Sequence, residues 1–279
     1  MAGIFSAAIA VLFLAGIAGL AVGSLVNAVI DRVPIGTSLA GDGRCGSCQA
    51  STRPRHGFAV LSWVARGGRC GSCGAPLPAR YPLVEAGTCA GFVALTWWFI
   101  RASDGSAGTV GPATWPVLAA YLYLLALSVA LTVIDVGTHR LPNVLVLPSY
   151  LVALTLFALA CALGSAWEDL LRGVVGMTVL YGFYLALRLV RPGGMGGGDV
   201  KLAGVLGLYL GWLGWGSLAV GAFAAFFFGG VFGLALMAFG RAGRRTAIPF
   251  GPWMIAGAWA GILAGGPLGE WYIGRLGGA

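Results

Sequence analysis

The sequence predicts an all-α polytopic membrane protein of about eight transmembrane helices with one small cysteine-bearing insert. Three observations predict it. Of the 279 residues, 58% are hydrophobic, only 9% are charged, and mean hydropathy is +0.89; soluble domains carry about 25% charged residues. Apolar runs of about 20 residues, the length that crosses roughly 30 Å of hydrocarbon as a helix, recur along almost the whole chain. A single long polar interval, from Asp31 to Pro82, interrupts them and holds four of the six cysteines.

In order, the runs cover 4–30, 83–100, 115–134, 144–163, 170–189, 200–220, 222–239 and 248–264. The first is too long for a cleaved signal peptide and has no basic residue before its apolar stretch, so it is expected to be retained. The boundary between the sixth and seventh is only weakly marked. Residues 1–30 are thus expected to form a first transmembrane helix, 31–82 a cytoplasmic insert, and 83–279 a core of about seven helices.

Charge supplies the orientation. The polar interval carries Arg32, Arg44, Arg53, Arg55, Arg66, Arg69 and Arg80, and basic residues between spans mark the cytoplasmic side. The N-terminus is then outside, and span alternation puts His139, Arg140, Arg188, Arg191, Lys201, Arg241, Arg244 and Arg245 on the cytoplasmic side too. Only Arg101, Arg172 and Arg275 fall opposite. The net charge of +8 is therefore read as a topology signal toward the lipid bilayer, and no nucleic-acid partner is expected.

Within this apolar chain two carboxylates stand where long hydrophobic runs meet polar segments: Asp135 in Leu131–Asn143 and Asp199 after a glycine run. An ionisable group at membrane depth costs several kcal/mol unless something pairs or uses it, which makes it a functional-site candidate. Two spans separate them, so both lie on one face, and two more spans separate Asp135 from the polar interval. A pair of carboxylates on one face is the arrangement that activates water, one as base and the other as acid.

The insert carries Cys45-Gly-Ser-Cys48 and, about twenty residues on, Cys70-Gly-Ser-Cys73. Two C-x-x-C knuckles at that spacing match a tetrahedral four-thiolate zinc site. Disulfides are disfavoured in a reducing cytoplasm, and a thioredoxin-like role would need a βαβ context. An insert this small has few core-forming residues beyond Phe58, Val60, Leu61, Trp63 and Val64, so it needs a staple. Cys89 and Cys161 fall within spans, where they read as small packing residues. The glycine-rich Gly193–Gly198 stretch is neither a P-loop nor a dinucleotide fingerprint; it reads as irregular backbone leading to Asp199, which on its own would merely cap the next helix.

Six segments in sequence order resemble the type IV prepilin peptidase family, the GxGD-type intramembrane aspartic proteases. They are Gly23–Asn27, Asp31–Pro34, the two knuckles around Leu61-Ser62-Trp63, Arg80–Glu85, Ile134-Asp135 with Leu141-Pro142, Gly196–Leu202, and the late segment Ile248–Pro252, the first two counted together as the opening segment. The knuckles lack the family's usual second residue, Pro or Arg, and Asn143 stands where an acid is common; neither change removes a candidate ligand or carboxylate. The resemblance implies Asp135 and Asp199 as the catalytic dyad, in a plasma-membrane endopeptidase that removes a short basic leader from prepilins or pseudopilins at the cytoplasmic face. It also implies N-methylation of the new N-terminus with S-adenosylmethionine, for which no soluble-type fold is visible. Glu85 is a candidate near that activity, with service to a helix start as the competing reading, and His139 reads as an interfacial residue. Competing readings are a GxGD protease with a non-pilin substrate, a transporter with carboxylates in broken helices, and a zinc-bearing scaffold that would leave the two aspartates without a role.

Overall fold

The computed structural model describes residues 2–39, 45, 47–48, 50, 59–103, 111–191, 195–240 and 249–276. Arg44, Arg53, Arg55, Phe58, Gly193, Gly194, Arg241, Arg244, Arg245 and Ile248, invoked above, lie outside the described residues. Among the described residues there are nine helices and no strand: α1 (Ala2–Arg32), α2 (Ala59–Ala65), α3 (Arg80–Ser103), α4 (Thr114–Thr138), α5 (Asn143–Ala162), α6 (Trp167–Val190), α7 (Gly197–Leu213), α8 (Trp215–Ala238) and α9 (Gly251–Leu276). Six carry apolar spans of 20–25 residues. With α7 and α9, the long helices match the expected series, and the protein is a multi-pass membrane protein.

One boundary differs from the expectation. The sixth and seventh helices separate at Gly214, whose φ of 149° is backbone that only glycine readily adopts, and not at Gly221. The residues flanking the true break, Leu213 and Trp215, are as apolar as the spans, so hydropathy gives no sign of it. Gly221 lies inside α8, where a Cβ would meet Leu210 Cδ1 at 2.7 Å.

The chain forms two compact units, Met1–Thr114 with Tyr121–Ala130, and Trp115–Ala120 with Leu131–Ala279. In the first, α1 lies against α3 along a face of small residues. A Cβ on Gly19 would come within 2.7 Å of Cys89 Cα, and one on Gly23 within 2.7 Å of Glu85 Cα. In hydrocarbon, where burial of apolar surface gains little, such close backbone approach is what holds helices together. Cys89 serves here as the small packing residue its sequence context suggested.

The second unit repeats the device. Gly257, Gly261 and Gly265 of α9 meet Ala225, Gly221 and Ser217 of α8, both series spaced by four residues and so on one helix face each. Gly173 and Gly176 of α6 meet Gly207 and Gly211 of α7 likewise. At the end of α7 the Arg172 guanidinium donates to Gly211 O and Trp212 O, both at 2.8 Å, and to Asp169 Oδ1 at 2.7 Å. Terminal helix carbonyls lack intrahelical donors and carry partial negative charge, and a cation answers both needs. Phe157 stacks on Trp212 with ring centroids 4.3 Å apart, and Tyr209 Oη donates to Ala120 O at 3.1 Å.

Exposed tryptophans gather at one end of this unit: Trp115, Trp167 and Trp215 at the starts of α4, α6 and α8, and Trp271 near the end of α9. Arg275 stacks over Trp271 at 5.0 Å. Such rings mark a membrane–water interface. Asp135 and the start of α7 lie at the opposite helix ends, which places both aspartates toward the other interface.

Gly261→Leu should disrupt the α8–α9 seam, since even a Cβ would meet Ser217 O at 2.5 Å and Gly221 Cα at 2.7 Å. Overpacking costs about 1–3 kcal/mol or more, so thermal unfolding in detergent should shift clearly downward. Gly230→Ala, which adds a Cβ into open space, should leave the transition in place.

Candidate active site and metal centre

The two knuckles are built alike. Cys45 N–H donates to Ala50 O at 2.9 Å and Cys70 N–H to Ala75 O at 2.8 Å, so each pair closes a tight turn that turns both sulfurs inward. Cys45 and Cys70 are buried, Cys48 and Cys73 exposed, and all four are free thiols. Their sulfurs lie within 4.8 Å of one another, with Cys45 Sγ to Cys73 Sγ at 3.8 Å and Cys48 Sγ to Cys70 Sγ at 3.9 Å. A tetrahedral zinc with bonds of about 2.3 Å has S–S edges of about 3.8 Å, whereas a disulfide needs about 2.05 Å. The cluster therefore has the dimensions of a metal site.

Its electrostatics agree. The N–H groups of Cys48 and Ser47 hold the Cys45 thiol below its ordinary range, and those of Ser72 and Cys73 hold Cys70 down to about 6. For Cys73 the Ala75 N–H acts downward, but the sulfurs of Cys48, Cys70 and Cys45, with loss of solvation, push it up to about 12. Four sulfurs so close cannot all ionise unless a cation sits among them. Around this cluster, Trp63 of α2 donates from Nε1 to Leu77 O at 3.2 Å and covers Gly68, joining the short helix to the second knuckle.

In the second unit, Asp135 occupies the last turn of α4 and is 4% exposed. His139 ends that helix in a left-handed conformation, φ 53°, with its N–H on Asp135 O at 2.8 Å. The chain then turns through Leu141 and Pro142 into α5. Leu141 is the hinge of the site: Gly198 has no room for a Cβ, which would meet Leu141 Cβ at 2.8 Å, and one on Gly251 would meet Asp135 Oδ2 at 2.6 Å and Leu141 Cδ2 at 3.4 Å. The starts of α7 and α9 are thus drawn against the end of α4.

Each carboxylate is held by one backbone donor at a helix start. Gly251 N–H donates to Asp135 Oδ2 and Gly196 N–H to Asp199 Oδ2, both at 3.1 Å. The capping role weighed for Asp199 is therefore real, and it uses one oxygen only. Expected irregular backbone gives way here to helix from Gly197 onward; the glycines supply room, because a Cβ on Gly197 would meet Arg188 Nη1 at 2.7 Å.

Three features of this site escaped sequence reasoning. Lys201 Nζ donates to Asn143 Oδ1 at 2.9 Å, tying α7 to the start of α5. Tyr150 Oη donates to Lys201 O at 2.5 Å, fixing the first turn of α7. The Gly251 N–H is invisible as a side-chain motif, although it falls in the Pro249–Pro252 segment already singled out. The asparagine's position after Leu-Pro was the one signal for the Lys201 contact.

Comparison with known proteins decides the family. The bacterial peptidase A24 N-terminal domain matches residues 17–99, spanning all four clustered cysteines, and the type IV leader peptidase family matches 122–234, spanning both aspartates. A prepilin leader peptidase/N-methyltransferase of Stutzerimonas stutzeri is 32% identical over 283 residues, covering 91% of each chain. The chain belongs to the type IV leader peptidase family. Relatives of the same name from Aeromonas hydrophila (33% identical, 82% of this chain and 73% of the relative) and Pseudomonas aeruginosa (30%, 91% of each) agree. No solved structure matches. Membership of this family makes the chain a multi-pass protein of the bacterial inner membrane.

Purified protein should carry about one metal ion per chain, lost on Cys→Ser substitution at Cys45, Cys48, Cys70 or Cys73 but not at Cys89 or Cys161. Thiolate ligands compete with protons, and backbone N–H groups hold the Cys70 thiol down to about 6, so metal should be retained at pH 7–8 and released as pH falls below about 6. A chromogenic chelator read against pH checks both.

Proposed function

We propose that this protein is an intramembrane aspartic endopeptidase whose catalytic pair is Asp135 and Asp199, removing the short basic leader of prepilins or pseudopilins at the cytoplasmic membrane face and N-methylating the new N-terminus. The observation that supports the reading is the convergence of the ends of α4, α7 and α9 around Leu141, where a backbone N–H anchors one oxygen of Asp135 and another anchors one oxygen of Asp199.

Peptide hydrolysis needs a nucleophilic water and a polarised carbonyl. Two carboxylates sharing one proton supply both: the ionised member takes a proton from water as it attacks, and the protonated member donates to the carbonyl oxygen. The resulting gem-diol breaks as the proton passes to the leaving amine. Protons belong to the pair, so its pH–rate profile reports two macroscopic values. The Gly251 and Gly196 donors fix each carboxylate's rotation, leaving its second oxygen for water or substrate. Lys201, held on Asn143, keeps the start of α7 in register with the Leu141 turn.

Zinc held by Cys45, Cys48, Cys70 and Cys73 would act structurally, since four protein thiolates fill a tetrahedral shell and leave no position for substrate. S-adenosylmethionine, when bound, supplies an electrophilic methyl group. The substrate's basic leader suits a cytoplasmic site, and the orientation with the insert and the dyad inside follows from the arginine distribution and span parity.

Asn matches Asp in size but cannot act as a base or share a proton. Asp135→Asn and Asp199→Asn should each lower cleavage of a prepilin-like peptide by at least about a hundredfold, with the double variant little worse than either single, while insertion and metal content persist. Near wild-type cleavage by either single variant would refute the pair.

Orientation is tested separately. An epitope tag after Arg66 or after Thr138 should be reached only from the cytoplasmic side, and one after Ser165 only from outside. Opposite sidedness of Arg66 and Thr138 would break the parity on which a shared face rests.

A further inference from the structure

The first turn of α7 carries Asp199, and that turn is gripped on its opposite side. Successive residues advance by about 100° around a helix, so Lys201 stands about 200° from Asp199 and faces elsewhere. It reaches α5, where Asn143 Oδ1 accepts from its Nζ at 2.9 Å. Its backbone carbonyl is taken by the same helix, since Tyr150 Oη donates to Lys201 O at 2.5 Å. Asn143 and Tyr150 lie two turns apart on one face of α5. One residue of α7 is thus held from α5 by both its side chain and its backbone.

The backbone contact has its own space. A Cβ on Gly204 would come within 2.2 Å of Tyr150 Oη, so any side chain there would shut the hydroxyl out. The Val205 N–H, the donor that a regular helix offers to Lys201 O, faces the same hydroxyl. Tyr150 therefore enters the hydrogen-bond ladder of α7 one turn beyond Asp199. The side-chain contact is equally selective. Of the chain's 17 lysine and arginine residues, only Lys201 is lysine. Its partner is a neutral amide oxygen, and it makes no ion pair among the described residues. A compact ammonium lodges on a single oxygen, whereas the planar guanidinium fork suits two. Reach and single-point contact, more than charge, set lysine apart from arginine at this position.

We propose that Tyr150 and the Lys201 ammonium are positioning residues for leader cleavage: through one residue of α7 they set the rotation of its first turn and so the aim of the Asp199 carboxylate, a role that rests on the peptidase reading above. Both act through the backbone and not on the reacting atoms. A grip on the far side of the turn moves the near side with it, because the turn is a rigid hydrogen-bonded unit. Removing the hydroxyl returns Lys201 O to the Val205 N–H alone and frees the turn from α5. Replacing the ammonium by a guanidinium keeps the charge but sets a bulkier, forked group against the Asn143 oxygen.

The lone lysine supplies the readout. Full-length protein expressed with lysine carrying a heavy carbonyl carbon holds one labelled peptide group, that of Lys201, and its infrared amide band reports what the carbonyl accepts. In Tyr150→Phe that band should move to higher frequency, because a carbonyl that loses a donor is stiffer. With a prepilin-like peptide, kcat of Tyr150→Phe should fall by about ten- to a hundredfold, the scale of a displacement of about 1 Å at a reacting group. KM should stay within about twofold, since substrate contacts are untouched. Lys201→Arg should show the same split, and both variants should keep their metal. An unshifted band in inserted, metal-bearing Tyr150→Phe, wild-type kcat in either variant, or a loss expressed mainly in KM would overturn the proposal. Should Tyr150→Phe fail to insert, the kcat–KM split of Lys201→Arg decides. Absence of cleavage by the wild type would sink the peptidase reading and the positioning role with it, whereas wild-type cleavage with unaffected variants sinks the positioning role alone.

Discussion

A carboxylate at the edge of hydrocarbon has to be held, and here the holding is done by N–H groups that helices cannot use themselves. The first N–H groups of a helix have no intrahelical acceptor and carry partial positive charge. Gly251 opens α9 and Gly196 precedes α7, and each spends that spare donor on one aspartate oxygen. The same constraint satisfies two helix starts and two carboxylates at once. It also explains why the candidate residues stand at helix ends: mid-span, every backbone N–H is taken and a carboxylate would find no such partner.

That arrangement demands that three helix ends meet closely, which only small residues allow. Leu141 fills the space between Gly198 and Gly251, and any side chain at either glycine would push α7 or α9 away from Asp135. The glycine seams further along α6–α7 and α8–α9 carry the same requirement through the membrane, because a helix displaced at its middle cannot deliver its end accurately. Arg172 secures the far end of α7 by occupying its last carbonyls. The glycine content of the chain is thus a packing device as much as a flexibility device.

Much of this was legible in the sequence because it depends on local chemistry. Span length follows from hydropathy, the cysteine knuckles announce themselves by spacing, and parity puts Asp135 and Asp199 on one face without any knowledge of packing. What was not legible depends on contacts between distant segments. Nothing near Gly251 says that its amide will meet a residue 116 positions away. The Gly214 break carries no polar flank, so the more central Gly221 looked equally suitable. Asn27 and Glu85 were visible as residues of resembling segments, but their contacts with Tyr81 O and the Val60 N–H appear only once the helices are packed.

The carboxylates of this chain differ in what engages them. Asp31 is taken up by the Arg80 guanidinium and the Tyr81 hydroxyl, a cation and a donor that leave it a structural tie between α1 and α3. A peptidase pair needs the opposite: two acids free of any cation, so that one keeps a proton for the carbonyl oxygen while the other takes one from water. Asp135 and Asp199 stand at converging helix ends with one backbone donor each and no ion pair among the described residues, which is what that chemistry asks of them. One kind of side chain thus serves structure in one place and suits catalysis in another, and the difference lies in which partners the fold sets beside it.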